Sequence, residues 1–264
     1  MLSMQVYSAP TTLNEAYDLL HSSRNNVILG GCAFLRLGKK RIGTGVDLKK
    51  LNLDYIRLED DYLEIGAMTH LRSLETHRII QNLSDGILSK AISSVVGVSF
   101  RNTVTLGGSV YGKYGFSDVI TALLALDAKV FLHKGGVMNL EEFLNGSRDK
   151  DILTSVRIPL RKSRGSYVGF RHSAGDFPIL TVAVTYNLDC VKIVVGARPM
   201  GALLAKGAME YIKGREITRE SAAIAADIAI NELVFGSNMR SSAKYRRELG
   251  KTLIERSLLE VCRS

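Results

Sequence analysis

Apolar positions along the chain recur with two periods, and the changes of period mark the elements. Pro10-Thr11-Thr12 opens a helix: Thr12 and Glu15 stand at capping-box spacing, and Leu13, Ala16, Tyr17 and Leu20 fall at i, i+3, i+4 and i+7. Val27-Ile28-Leu29 reads as a short buried strand running into Gly30-Gly31. A second strand over 62–65 ends in Gly66-Ala67, with Thr69 placed to cap the helix that follows. Ile87, Leu88, Ala91, Ile92, Val95 and Val96 form another helical stripe. A Gly-rich, Ser/Thr-rich stretch over 99–117 comes next, then a helix over 118–126 and a strand over 129–132. Strand spacing up to Pro159 is too irregular for one simple doubly wound sheet.

Leu160-Arg161-Lys162-Ser163-Arg164-Gly165-Ser166, charged and small, reads as a linker, and a domain boundary is placed near residue 163. Beyond it, 179–187 and 191–197 predict two antiparallel strands joined at Leu188-Asp189-Cys190. Three helices, over 202–213, 218–234 and 241–262, complete the chain. The pattern is α+β, with no internal repeat or low-complexity segment.

Composition narrows the class. In 264 residues, 46% are hydrophobic and 23% charged, which fits a soluble globular chain and excludes disorder. No apolar run approaches the roughly 20 residues that span a bilayer. The opening residues carry no basic segment followed by an apolar one, so a cytoplasmic location is expected. The net charge of +9 comes from short scattered clusters such as Lys39-Lys40-Arg41 and Arg246-Arg247. No aromatic residues interleave with them, so neither a nucleic-acid face nor a membrane contact is indicated. Cys32, Cys190 and Cys262 are far apart, which leaves too few ligands for a cluster or structural zinc within the chain. There is no HExxH and no Gly-x-Ser-x-Gly elbow, so chemistry here points to a bound organic cofactor.

Two glycine pairs, Gly30-Gly31 and Gly107-Gly108, each follow a short apolar segment. Glycine after a strand lets backbone N–H groups turn outward and form a concave anion site. The second pair lies among Thr103, Thr105 and Ser109, and together the loops suit a pyrophosphate held from two sides. Neither is a dinucleotide G-x-G-x-x-G nor a P-loop.

These residues also carry a family resemblance. Val27-Ile28-Leu29-Gly30-Gly31 resembles the L-A-G-G-T-D-L loop of the FAD-binding subunits of molybdenum hydroxylases, the xanthine, carbon monoxide and nicotinate dehydrogenase group. Ile65-Gly66-Ala67-Met68-Thr69-His70 is similar to its I-G-A-x-T-x segment, and Arg101-Asn102-Thr103-Val104-Thr105-Leu106-Gly107-Gly108-Ser109 to its R-N-x-G-T-I-G-G-N. Asp118 with 122–128 resembles D-x-x-P-A-L-L-A-L-D-A, and Ile152-Leu153-Thr154, Ile158-Pro159 and Tyr245-Arg246-Arg247 also match.

The resemblance implies a first domain over 1–162 of the vanillyl-alcohol-oxidase (PCMH) type, in lobes of about 1–55 and 56–162 with FAD between them. A smaller domain over 163–264, with a three-stranded antiparallel sheet and helices, would follow. It assigns noncovalent FAD to Val27, Ile28, Leu29, Gly30, Gly31, Cys32, Ala33, Phe34, Thr105, Leu106, Gly107, Gly108, Ser109, Asp118 and Leu153. Asp118 would accept hydrogen bonds from FAD hydroxyls. No catalytic residue and no metal ligand is assigned. Partners would be a two-iron two-sulfur subunit and a molybdopterin subunit, with electrons passing through the clusters to FAD and then to NAD or another acceptor.

Several positions depart from the family pattern. Cys32-Ala33 replaces Thr followed by Asp or Asn, Val104 stands for Gly, Ser109 for Asn and Gly115 for Pro, and no Lys lies near Val168. Each lost side-chain hydrogen bond weakens cofactor binding by roughly 0.5–3 kcal/mol. Smaller signals stay open between cofactor contact and packing: His70 beside the loop, Cys32 as a thiol, Tyr111 and Tyr114 as shields, and Arg171 and Asp176 near the flavin. Two other functions stay open as well, a flavin-free assembly scaffold and a stand-alone FAD reductase of the same superfamily.

Overall fold

The computed structural model describes residues 3–147, 150–187 and 190–262. Their contacts divide the chain into two units: Met1–Ser73, Val98–Gly112 and Ala128–Pro159 form the first, and Leu74–Gly97, Lys113–Asp127 and Leu160–Ser264 the second.

The first unit holds two sheets. Strands β1 (Ser3–Ser8), β2 (Val27–Leu29) and β3 (Arg41–Asp47) form a parallel sheet in the order β1-β3-β2. Parallel neighbours need a crossover, and helix α1 (Leu13–His21) supplies it. Thr12 caps α1 by accepting the Glu15 N–H, while the Glu15 carboxylate accepts from Thr11. Ala16 and Leu20, one turn apart, are buried against Val46, Leu48, Leu53 and Ile152. At the far end of α1, the Lys150 ammonium donates to the carbonyls of Leu20, Ser23, Arg24 and Asn26 at 3.4, 3.0, 2.8 and 3.1 Å. Those groups lie where the helix leaves carbonyls unpaired.

The second sheet runs β4 (Ile56–Leu58), β5 (Tyr62–Gly66), β6 (Lys129–Leu132), β7 (Gly136–Asn139) and β8 (Leu153–Pro159) in the order β4-β5-β8-β6-β7, all antiparallel. Its core is Leu63, Ile65, Val130, Val156 and Ile158. Between these strands the chain forms short helices α2 (Leu71–Thr76), α3 (Arg78–Asn82), α4 (Ile87–Ser93), α5 (Val98–Arg101), α6 (Leu106–Tyr111), α7 (Asp118–Ala125) and α8 (Leu140–Asn145), of which α3, α4 and α7 belong to the second unit.

The second unit is built on an antiparallel sheet of β9 (Arg164–Phe170), β10 (Leu180–Tyr186), β11 (Val191–Gly196) and the two-residue β12 (Leu203–Leu204), in the order β12-β11-β10-β9. Helices α9 (Lys206–Ile212), α10 (Arg219–Glu232) and α11 (Ala243–Cys262) follow. Leu180, Val182 and Val184 face α10 and α11. The intervening Thr181 and Thr185 bond to Thr121 and to the Ala125 carbonyl of α7. Both faces of β10 are therefore covered, and the strand is buried from Leu180 to Thr185 even where threonine interrupts the apolar run. This double cover also explains why Leu74–Gly97 and Lys113–Asp127, which precede residue 163, pack with the C-terminal stretch.

Three expectations are corrected, and the stretch 99–117, read only by composition, gains helices. The stretch 160–166 is not wholly a linker: β9 begins at Arg164, which pairs with Asp85 at 2.7 Å, and Ser166 is buried and donates to Glu260 at 2.6 Å. The segment 99–117 contains α6 and the end of α5. Thr69 caps no helix, because its hydroxyl is bonded to the Tyr55 N–H and carbonyl. Residues 203–204 are strand, and α9 starts only at Lys206. Leu188 and Asp189 of the predicted turn lie outside the described residues.

Candidate functional site

In the first unit β2 delivers the chain to Gly30, and the next two residues, Gly31 (φ +74°) and Cys32 (φ +56°), are both left-handed. Gly31 is free to adopt that conformation, while a cysteine there is strained. A Cβ on Gly31 would stand 2.2 Å from the Thr103 carbonyl, and one on Gly108 2.5 Å from the Gly30 carbonyl. A Cβ on Gly107 would meet Ala67 at 2.8 Å. The structure thus brings together two loops far apart in sequence, with both pairs positioned where backbone packs on backbone.

The two loops differ in their donors. In the second, the Leu106 N–H goes to the Thr69 carbonyl, Gly107 to Ala67, Gly108 to the Thr105 hydroxyl and Ser109 to the Thr105 carbonyl. The Ser109 hydroxyl also donates to Thr105. In the first, the N–H groups of Gly31, Cys32 and Ala33 donate to no acceptor among the described residues. Unbonded N–H donors, expected of both loops, occur among the described residues only in the first. Glycines of the second serve close approach.

The remaining assigned residues of this unit frame that row. Val27, Ile28 and Leu29 are half-buried in β2, with Ile28 against the α1 core. Phe34 makes an edge contact with Phe100 of α5 at 6.4 Å. Thr105, Leu106 and Leu153 are buried. Burial, and then the Asp47 carboxylate, push the Cys32 thiol up, so Cys32 is held as a protonated thiol. His70 pairs its backbone with Thr105. The Tyr111 hydroxyl accepts from the Asp151 N–H at 3.0 Å, and its ring packs on Phe143.

Asp118 lies in the second unit, at the first turn of α7, and is buried. Its Oδ1 accepts from the Tyr167 hydroxyl, and from Arg171 Nη2 at 2.6 Å. Burial pushes the Asp118 carboxyl up, and Arg171 and Tyr167 pull against that. Burial and the facing carboxylate hold the Tyr167 phenol well above its ordinary value. The structure separates Arg171 from Asp176, which pairs with Arg240 at 2.9 Å. Tyr114 stacks on Phe116, which touches Phe177. Tyr167 escaped the sequence reading; its signal was the alternation Tyr167, Gly169, Arg171, hidden beside an apparent linker.

Residues 2–161 match the family described as FAD binding domain in molybdopterin dehydrogenase, and residues 166–261 the CO dehydrogenase flavoprotein C-terminal domain. The chain belongs to this flavoprotein family, and FAD is the cofactor by which the family is defined. It is similar to the nicotine 6-hydroxylase medium subunit of Paenarthrobacter nicotinovorans, 26% identical over 96% of each chain. It is also similar to the nicotinate dehydrogenase FAD-subunit of Eubacterium barkeri, 25% identical over 97% of this chain and 95% of the relative. In fold it matches a chain of carbon monoxide dehydrogenase from Hydrogenophaga pseudoflava with TM-score 0.89, at 23% identity over 97% and 96% of the two chains.

The residues present suit the cofactor. Three adjacent N–H groups without protein acceptors are what a phosphate oxygen requires, and they depend on no side chain. The Cys32 and Ala33 departures therefore leave the main-chain donors in place. Among the described residues no helix is long and apolar enough to cross a membrane, and no three His, Cys, Asp or Glu side chains cluster to hold a metal.

Proposed function

We propose that this chain is the FAD-carrying electron-transfer subunit of a cytoplasmic molybdenum hydroxylase. It would receive electrons from a two-iron two-sulfur partner beside a molybdopterin subunit and deliver them to NAD or another acceptor. The observation that carries this reading is the unpartnered N–H row at Gly31, Cys32 and Ala33, held by the packing of Gly108 on Gly30. Bound FAD supplies a centre that takes up electrons singly and releases them in pairs. The first loop would donate to its pyrophosphate, the second would brace the first, and Asp118 would accept from its hydroxyls. The relatives' names support the assembly, since they are designated medium or FAD subunits.

Purified protein should show flavin absorption bands, and denaturation followed by filtration should release free FAD. Flavin retained on the unfolded chain would overturn noncovalent binding, and a colourless protein that takes up no added FAD would favour the scaffold. The isolated chain should be reduced fully by dithionite and poorly by any hydroxylation substrate. Substrate-driven reduction of the isolated chain would instead identify a stand-alone reductase.

A further inference from the structure

The Asp118 carboxylate has neighbours that the proposed function leaves unused. Tyr167 and Arg171 both donate to Oδ1, and Arg171 Nη1 continues to the Ser94 carbonyl at 2.5 Å. Tyr167 is 9% exposed, and the Arg171 and Asp118 side chains 10% and 7%. Oδ2 accepts from no other residue among the described ones. Tyr167, Gly169 and Arg171 alternate along β9 and its extension, so they face one side. A Cβ on Gly169 would stand 2.4 Å from Arg171 Nη2 and 3.3 Å from Asp118 Oδ1, so glycine there clears the path of the guanidinium.

We infer that Tyr167 and Arg171 are positioning residues that fix the Asp118 carboxylate by Oδ1 and leave Oδ2 to a hydroxyl of FAD. The inference rests on the assignment of Asp118 to FAD made above. Two donors on one oxygen remove the rotation that would exchange Oδ1 and Oδ2. Arg171 also supplies the positive charge a buried carboxylate needs to stay charged. A charged acceptor makes a hydrogen bond roughly twice as strong as a neutral one. Removing Arg171 takes away that opposing charge and favours the protonated carboxyl, a weaker acceptor.

The test is FAD affinity of the full chain stripped of flavin, read by quenching of flavin fluorescence, with the melting temperature followed in parallel. Asp118→Asn and Arg171→Met should each weaken FAD binding by about tenfold or more, the range for a hydrogen bond to a charged group. Arg171→Lys should restore part of the loss. Gly169→Ala should weaken binding by displacing Arg171. Combining Arg171→Met with Asp118→Asn should be no worse than Asp118→Asn alone, because arginine acts through the carboxylate. Tyr167→Phe keeps the ring and its packing, and should weaken binding by a smaller factor even if Arg171→Met fails to fold. An Arg171→Met loss that persists undiminished in the Asp118→Asn background would overturn the inference. So would unchanged affinity in both Tyr167→Phe and Arg171→Met. If Asp118→Asn itself binds FAD normally, the failure lies at the Asp118 assignment and takes the inference with it.

Discussion

At Gly31, Cys32 and Ala33 the backbone N–H groups have no protein acceptor among the described residues, while from Leu106 to Ser109 every N–H is bonded within the protein. Both stretches contain a glycine pair after an apolar residue. In one, glycine permits the left-handed turn that exposes donors; in the other, it permits a second backbone to lie against the first. The same dipeptide therefore stands beside unbonded N–H groups in one loop and bonded ones in the other, and only the partners of those groups tell the two apart.

The largest effect should come from attacking the brace. Gly108→Val forces a branched side chain against the Gly30 carbonyl, and Gly107→Val forces one against Ala67. Each should cost about 1–3 kcal/mol of stability and abolish flavin occupancy, because overpacking displaces the loop that carries the donors. Melting temperature and bound flavin measure both. A mutant with normal melting and full flavin would separate the loops and end the comparison.

Within the first loop, Gly31→Ala should weaken FAD binding far more than Gly30→Ala. The former combines positive φ with a 2.2 Å approach to Thr103, whereas the latter meets the Thr105 hydroxyl at 3.1 Å. A residue forced into an unfavourable φ costs about 1–3 kcal/mol. Equal affinities would show that the turn at Gly31 is not what presents the donors.

The smallest effect should be at Cys32. Its role is read as main-chain only, so Cys32→Ser should change FAD affinity by less than about threefold, below the value of one neutral hydrogen bond. Because burial raises its thiol, alkylation of Cys32 should keep accelerating above the ordinary thiol range near pH ~8.5. Site-resolved mass spectrometry of the labelled protein would read this. Rapid labelling at neutral pH would identify an activated thiolate instead.

Elements governed by local chemistry were legible in the amino-acid sequence. Helix α1 announced itself through the Thr12 cap and its apolar stripe, and β2 and β6 through short apolar runs. Strand β9 did not, because Arg164 owes its ion pair, and Gly165 and Ser166 their burial, to Asp85, Ser84 and Glu260 from distant segments. Thr69 looked like a cap and instead serves Tyr55. At the site, the glycine pairs were visible as a pattern, but which loop carries free donors depends on Ala67, Thr69 and Thr105 as acceptors. The Arg171 partnership was equally hidden, since only the folded chain places it on Asp118 and gives Asp176 to Arg240.

Lys150 carries a consequence for how the chain is made. Its ammonium gathers four carbonyls from the turn between α1 and β2, and Ile152 beside it completes the core beneath. Central strand β8 begins directly after. A nascent chain emerging from the ribosome must therefore wait for more than half its length before the turn between α1 and β2 gains this donor. Until then those carbonyls lack their cation, and β5 and β6 lack the β8 strand that lies between them, so the second sheet closes late in synthesis.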